Sequence, residues 1–165
     1  MVLPPERVRA QLAEQRGGAD VIFDSRGNRI GGARMLSVVT LYPGIQGRHY
    51  RLSQDPDYEA IWKAQKQLTM ILEEWKQDGR KGHCPIPDEP LPPVGTLGFR
   101  IQRYGMLLWG DLFTARQKIA LSSISSINRE YEDENVQLLT ALAVGKTADL
   151  SNSGTPWKPG AECPV

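Results

Sequence analysis

The sequence predicts an α+β fold in which a small antiparallel sheet packs on two or three helices. Residues 35–42, MLSVVTLY, are rich in β-branched side chains and end at a Pro-Gly turn, as is typical of a strand. Apolar residues then recur at helical spacing over 58–75 and again over 120–142. Because the strand signals fall within 20–52 and the helical signals follow, we expect one sheet packed on the later helices.

Length and composition favour a single domain. The chain has 165 residues and a formal net charge of +1, so it can bury a core but lacks the basic character typical of a stand-alone DNA-binding module. We predict a domain over 1–150 and a flexible tail over 151–165. Two distant cysteines do not indicate a disulfide framework. The sequence has neither a membrane-length apolar run nor a signal-peptide pattern, and we expect a cytoplasmic protein with no membrane partner.

The first elements are short. Pro4-Pro5 precedes a pattern that predicts a helix over 5–15, ended by Gly17-Gly18. Residues 21–23 and 29–30 flank the turn 25–28 and predict a hairpin. Its glycines lack the GxGxxG spacing of a phosphate loop. Strand 35–42 is expected to pair with 48–52 across the turn PGIQG.

Residues 53–77 contain the clearest helix. Asp55 is the predicted N-cap, and Pro56 suits the first helical position. One apolar stripe predicts either a core or a partner interface; its members are Tyr58, Ile61, Trp62, Leu68, Ile71, Leu72 and Trp75. Residues 83–94 are proline-rich and predict an ordered crossing loop. His83-Cys84 lacks the CxxC spacing of a zinc site, so we assign no metal site.

The last helical region begins near Thr114. Thr114 and Gln117 have capping-box spacing, and Asp111 is a second N-cap candidate. An apolar line at near-heptad spacing follows, comprising Ala120, Ile124, Ile127, Tyr131, Leu138 and Leu142. The acidic stretch 130–134 leaves open whether the region is one helix or two. Residues 151–165 are rich in Gly, Pro and Ser, which predicts a loop or disorder.

Three blocks carry a family resemblance: 84–93, 95–100 and especially 104–117, YGMLLWGDLFTARQ. They resemble the central segment of a prokaryotic family of adenine-specific DNA methylases whose long members open with a domain of unknown function. The similarity spans roughly 3–164. In that family, the glycine-rich loop for S-adenosylmethionine precedes this segment and the Asp-Pro-Pro-Tyr motif follows it. The resemblance therefore implies a fragment or insert that binds no cofactor alone and is inactive without the remainder.

Within the chain, Asp55-Pro-Asp-Tyr58 is only superficially similar to that methylase motif. It lacks the second proline and lies where a helix is predicted to start, so we interpret Asp55 as a helix cap. We assign no catalytic, cofactor-binding or metal-binding residue. The implied role is to position DNA, and the candidates for phosphate contact are Arg48, Arg51, Arg100, Arg103 and Arg116.

Two alternatives to the DNA-positioning role stay open: an interaction module, and a gene fragment. Scattered arginines are also common on ordinary solvated surfaces. The helical apolar stripes could instead belong to a protein–protein interaction or scaffold module that has no nucleic-acid role. The expected partners are therefore DNA, the remaining portion of a methylase, or another protein chain. A gene fragment without a function of its own is the third possibility.

Overall fold

The computed structural model describes residues 4–15, 18–96, 100–155, 157–158 and 163–164. The elements in this part of the chain confirm the α+β class. In chain order they are α1 (Pro5–Gln15), β1 (Val21–Phe23), β2 (Arg29–Gly32), β3 (Val38–Thr40), β4 (His49–Arg51), α2 (Asp55–Gln77), α3 (Ala115–Asn128), α4 (Glu134–Ser151), β5 (Trp157–Lys158) and β6 (Cys163–Pro164). Two short 3-10 helices, Ile101–Tyr104 and Trp109–Leu112, precede α3. No helix in the described ranges has the length and apolarity to cross a bilayer.

The strands form separate two-stranded antiparallel sheets and not the one small sheet expected. β1 pairs with β2, and β3 pairs with β4. The first hairpin turn is held by Asp24, whose Oδ1 accepts hydrogen bonds from the Arg26 and Asn28 N–H groups at 2.9 Å each. Gly32 ends β2 with a φ of 71°. The Ala33 N–H still donates to the Asp20 carbonyl oxygen at 2.8 Å, and β3 then pairs only with β4.

Helix α2 begins one residue earlier than predicted. Gln54, not Asp55, is the N-cap. The reason is Asp57, whose carboxylate accepts a hydrogen bond from the Gln54 N–H at 2.8 Å and so satisfies the end of the helix. Asp55 and Pro56 lie inside the first turn. Gln65 Nε2 donates to the Val21 carbonyl oxygen at 2.7 Å, which attaches α2 to the first hairpin.

The proline-rich segment is an irregular crossing loop, as expected. The Leu91 N–H donates to the Leu107 carbonyl oxygen at 2.8 Å, and the Gly110 N–H donates to the Pro87 carbonyl oxygen at 3.0 Å. Ile86 is buried. Backbone pairing with 107–110 therefore replaces the hydrogen bonds that the prolines cannot donate.

The region after the capping box forms two helices, which was one of the two possibilities that the acidic stretch 130–134 left open. Gln117 Oε1 accepts from the Thr114 N–H at 2.9 Å, and Thr114 Oγ1 accepts from the Gln117 N–H at 3.4 Å, so the predicted start of α3 is confirmed. Asp133 Oδ1 accepts from the Asn135 N–H at 2.8 Å and begins α4. α3 packs against both α2 and α4.

The core is small for a chain of this mass. The buried apolar side chains of the described residues are Val21, Ile61, Ile86, Leu91, Leu112 and Ala115. The accessible surface is 12011 Å², against roughly 8200 Å² expected for a compact monomer of equal mass. Among the described residues, many large apolar side chains are exposed.

Residues 157–158 and 163–164 pair as the short antiparallel strands β5 and β6, where the sequence predicted only loop or disorder. The rest of the predicted flexible tail beyond residue 155 lies outside the described residues, and so does Gly17, which was expected to end α1.

Candidate functional site

The stretch 107–118 makes hydrogen bonds with residues from several distant parts of the chain. Asp20, which is buried, reaches it from the far end of the sequence. Its Oδ2 accepts a hydrogen bond from the Ala115 N–H at 2.7 Å, and its Oδ1 accepts from the Val21 N–H at 3.0 Å. One carboxylate thus satisfies the first turn of α3 and the start of β1. Sequence reasoning missed this contact because the partners are 95 positions apart.

Asp111 fixes the loop before α3 and is not the N-cap of α3. Its Oδ2 accepts hydrogen bonds from the N–H groups of Leu107 at 2.8 Å and Leu108 at 2.9 Å. Its carbonyl oxygen accepts from the Ala19 N–H at 3.0 Å. Asp111 therefore caps the preceding 3-10 helix and attaches the chain before β1 to it.

Lys118 lies beside these two carboxylates, one turn into α3. Burial lowers the pKa of the Lys118 ammonium, while the charges of Asp111 and Asp20 oppose that shift. The side chain also lines a cavity of about 360 Å³ between the proline-rich loop, α3 and α4. Sequence reasoning did not single out Lys118, because its spacing in the helix does not reveal its burial.

Arg51 pairs with Asp57 in a bidentate salt bridge. The Arg51 Nη1 and Nη2 atoms donate to the Asp57 carboxylate oxygens at 2.7 and 2.8 Å. The hydrogen bond from Arg51, followed by that from the Gln54 N–H, lowers the pKa of Asp57 from 3.8 to about 2. Arg51 therefore joins β4 to the first turn of α2, and its charge is largely committed within the molecule.

Arg116 belongs to the same neighbourhood. Its side chain is exposed, and its positive charge also contributes to the lowered pKa of Asp57. Arg48, likewise exposed, immediately precedes β4. We define Arg48, Arg51 and Arg116 as the arginine patch.

Arg100 and Arg103 lie in a different setting. Both are exposed; Arg100 is the N-cap of the 3-10 helix Ile101–Tyr104 and Arg103 lies within that helix, which packs on α1. Where these two helices meet, Arg9 Nε donates to the Tyr104 hydroxyl oxygen at 3.3 Å. The five predicted DNA-contact residues thus occupy two structural settings.

The apolar line of the last two helices faces solvent. Ile127 is 55% exposed, Leu138 is 62% exposed and Leu142 is 64% exposed. We define the hairpin surface as the large apolar residues of this line and their neighbour on α4: Ile124, Ile127, Tyr131, Leu138, Leu139 and Leu142. The near-heptad pattern predicted an apolar stripe correctly, but within the described chain that stripe is not covered.

The apolar stripe on α2, in contrast, packs within the molecule. Ile61 is buried, and Gly27 of the first hairpin lies so close to Trp62 that a Cβ there would be 3.0 Å from the indole ring. Lys66 covers the same ring, with its Nζ 3.5 Å from the ring centroid. Of the two interpretations left open for this stripe, the structure supports the intramolecular core.

Three glycines of the described chain lie outside any strand-to-helix loop. Gly27 and Gly32 belong to a β-hairpin, and Gly145 lies inside α4, so none opens a strand-to-helix phosphate loop. Asp55 and Tyr58 lie in the first turn of α2. Among the described residues, no three His, Cys, Asp or Glu side chains group as a metal site.

Comparison of the chain with protein-family models, with curated proteins and with solved structures gives no match. The function of the chain is therefore inferred from the geometry and from the resemblance of the blocks 84–100 and 104–117.

Proposed function

We propose that this chain is a non-catalytic segment of an adenine-specific DNA methylase, and that the hairpin surface packs against the remaining portion of that enzyme. The uncovered hairpin surface is the observation that carries the proposal. Six large apolar side chains of α3, α4 and the turn between them are exposed, and apolar surface patches on a small chain often mark interaction sites. The resemblance of 104–117 supplies the partner.

On this proposal, S-adenosylmethionine binding and methyl transfer belong to the remainder of the enzyme. We infer a cytoplasmic location, since a methylase must reach chromosomal DNA. The chain by itself is expected to show no methyl incorporation into DNA. Robust incorporation by the isolated chain would contradict the proposal.

The test is a reconstitution. A full-length member of the resembled family, with its own matching segment deleted, is mixed with this chain and analysed by size-exclusion chromatography with light scattering. We expect a stoichiometric complex. The double variant Leu138→Gln/Leu142→Gln should lose it, because both side chains belong to the hairpin surface. Lys146→Gln, an exposed change on α4, is the matched control and should bind normally.

Two outcomes separate the alternatives. If the chain forms only homo-oligomers that the double variant abolishes, the hairpin surface serves a scaffold or interaction module and the methylase assignment is wrong. If the chain neither binds the truncated methylase nor self-associates, the segment proposal fails, and so does a scaffold built from copies of this chain.

DNA contact is a second part of the proposal. It is supported by the grouping of Arg51 and Arg116 around Asp57, with Arg48 immediately before β4. With a net charge of +1, the chain is expected to bind DNA weakly by itself and more tightly within the enzyme. Because Arg51 is already paired with Asp57, its replacement should weaken binding less than replacement of Arg116.

The measurement is a DNA titration of the reconstituted complex at several salt concentrations. Replacing Arg48, Arg51 and Arg116 by Gln should reduce the slope of log affinity against log salt concentration by up to about 0.9 for each phosphate that is no longer neutralised. The double variant Arg100→Gln/Arg103→Gln independently tests the two arginines at the 3-10 helix Ile101–Tyr104. An unchanged salt slope in both sets would exclude these arginines as phosphate ligands.

A further inference from the structure

A cavity of about 360 Å³ opens between the proline-rich loop and the α3–α4 pair. Its volume falls within the range of about 300 to 1,000 Å³ typical of small-molecule sites. Ile86, Phe113, Leu121 and Val144 supply apolar lining. Ligand sites usually combine such a lining with a few polar groups that orient the ligand.

The charged side chains that line the cavity are basic. Lys118 and Arg129 both line it, His83 lies at the loop side, and none of the described lining residues is acidic. This asymmetry contrasts with the near balance of 19 acidic and 20 basic residues in the whole chain. An anion entering the cavity would therefore meet two positive side chains and no lining carboxylate.

The carboxylates nearest to Lys118 are already engaged. Asp20 accepts hydrogen bonds from the N–H groups of Val21 and Ala115, and Asp111 accepts from those of Leu107 and Leu108. In the described part of the chain, the Lys118 ammonium makes no hydrogen bond or salt bridge with either of them. A half-buried ammonium without a direct partner is costly, and an anionic ligand would relieve that cost.

The helix spacing aligns the polar groups along the cavity. Lys118, Ser122 and Ser125 of α3 and its C-cap residue Arg129 follow one another at intervals of four, three and four residues, which places them on one side of the helix. The Lys118 and Arg129 backbones are separated by about 16 Å along the axis. An elongated ligand could therefore place its charged group at one end and its apolar body over the lining.

We propose that this cavity binds a small organic anion, with an anionic head group held by Lys118 and an apolar body packed against Ile86, Phe113 and Leu121. The head group is a carboxylate or a phosphate monoester. This site is separate from the hairpin surface and from the arginine patch, and it does not depend on the methylase assignment.

Cys84 provides a reporter, because it is a free thiol that lines the cavity. In a Cys163→Ser background it is the single cysteine of the chain. The rate of Cys84 alkylation by iodoacetamide is measured at fixed pH with increasing hexanoate, hexyl phosphate or the neutral analogue hexanamide. We expect both anions to slow alkylation at concentrations at which hexanamide has little effect, and the more protective anion identifies the head group.

Lys118→Met removes the charge and keeps the aliphatic stem, and it should raise the concentration of anion needed for half protection by roughly tenfold. Lys118→Arg should retain protection, which excludes misfolding as the cause. Lys146→Gln is the control outside the cavity. Equal protection by hexanamide and hexanoate, absence of protection, or unchanged protection in Lys118→Met would each overturn the proposal.

Discussion

Asp20 illustrates how a single side chain can hold distant elements together. Its two carboxylate oxygens accept hydrogen bonds from β1 and from the first turn of α3. Asp20→Ala would leave the Ala115 N–H buried without an acceptor. We expect the free energy of unfolding to fall by about 2 kcal/mol, as measured by urea denaturation. Asp88→Ala, at an exposed position of the proline-rich loop, is the control; equal decreases in the two variants would contradict the capping role.

The Arg51–Asp57 pair predicts sensitivity to acid. The pKa of Asp57 is lowered from 3.8 to about 2 in the folded chain. The folded state therefore binds this proton less readily than the unfolded state, and the pair stabilises the fold above a pH of about 3.8. That contribution is lost as the pH falls from about 3.8 to about 2.

Asp57→Asn tests this directly. The variant should be less stable than the wild type at neutral pH, and it should lose less stability through that acidic window in thermal melts. Glu59→Gln is a matched change in the same helix, since Glu59 pairs with Lys63 on the surface and exposed pairs contribute little. If Asp57→Asn and the wild type have parallel pH profiles, the pair does not contribute to stability.

At the scale of elements, α1 is attached through a close backbone approach at Gly105. Gly105 has a φ of 81°, and a Cβ there would lie 2.7 Å from the Leu12 carbonyl oxygen. Gly95 has a comparable φ of 93° with no described atom within 4 Å of a Cβ. The two glycines therefore share the conformational requirement but differ in how closely another part of the chain approaches them.

Gly105→Ala should accordingly destabilise the chain more than Gly95→Ala. Both changes carry the cost of a left-handed Ala, about 1 kcal/mol. Only Gly105→Ala also forces α1 away from the 3-10 helix Ile101–Tyr104. Hydrogen exchange of the α1 amides should accelerate in Gly105→Ala and not in Gly95→Ala; similar exchange in both variants would show that α1 is held elsewhere.

The elements that local patterns predicted well are those with strong local chemistry. Thr114 and Gln117 form the predicted capping box of α3, and the first hairpin lies where Asp24 and Gly27 supply a turn. The start of α2 was missed by one residue because two acidic residues, Asp55 and Asp57, compete for the helix end. The outcome depends on Arg51, which holds Asp57 in place from the preceding strand.

At the scale of the whole molecule, the surface of 12011 Å² predicts a shallow unfolding transition. The dependence of the unfolding free energy on urea concentration scales with the surface exposed on unfolding. We expect this slope to be smaller than that of a compact domain of equal length, and to increase when the partner of the hairpin surface is bound.

Leu138→Gln/Leu142→Gln serves here as a control for the isolated chain. Both side chains are already more than half exposed, so their replacement should leave the urea slope of the monomer unchanged. A slope equal to that of a compact domain would contradict the uncovered surface.

By itself, the sequence determined the α+β class, the apolar stripes and most helix boundaries, because these depend on periodicity and on residues within one or two turns of each other. The tertiary structure decided which stripe is covered. The α2 stripe packs against the β1–β2 turn at Trp62 and becomes part of the core. The hairpin surface on α3 and α4 remains exposed. Periodicity reports that a face is apolar but not what packs on it, since that depends on residues far apart in the chain. The same reason explains Asp20 and Lys118: their roles follow from long-range burial and pairing, which local sequence does not encode.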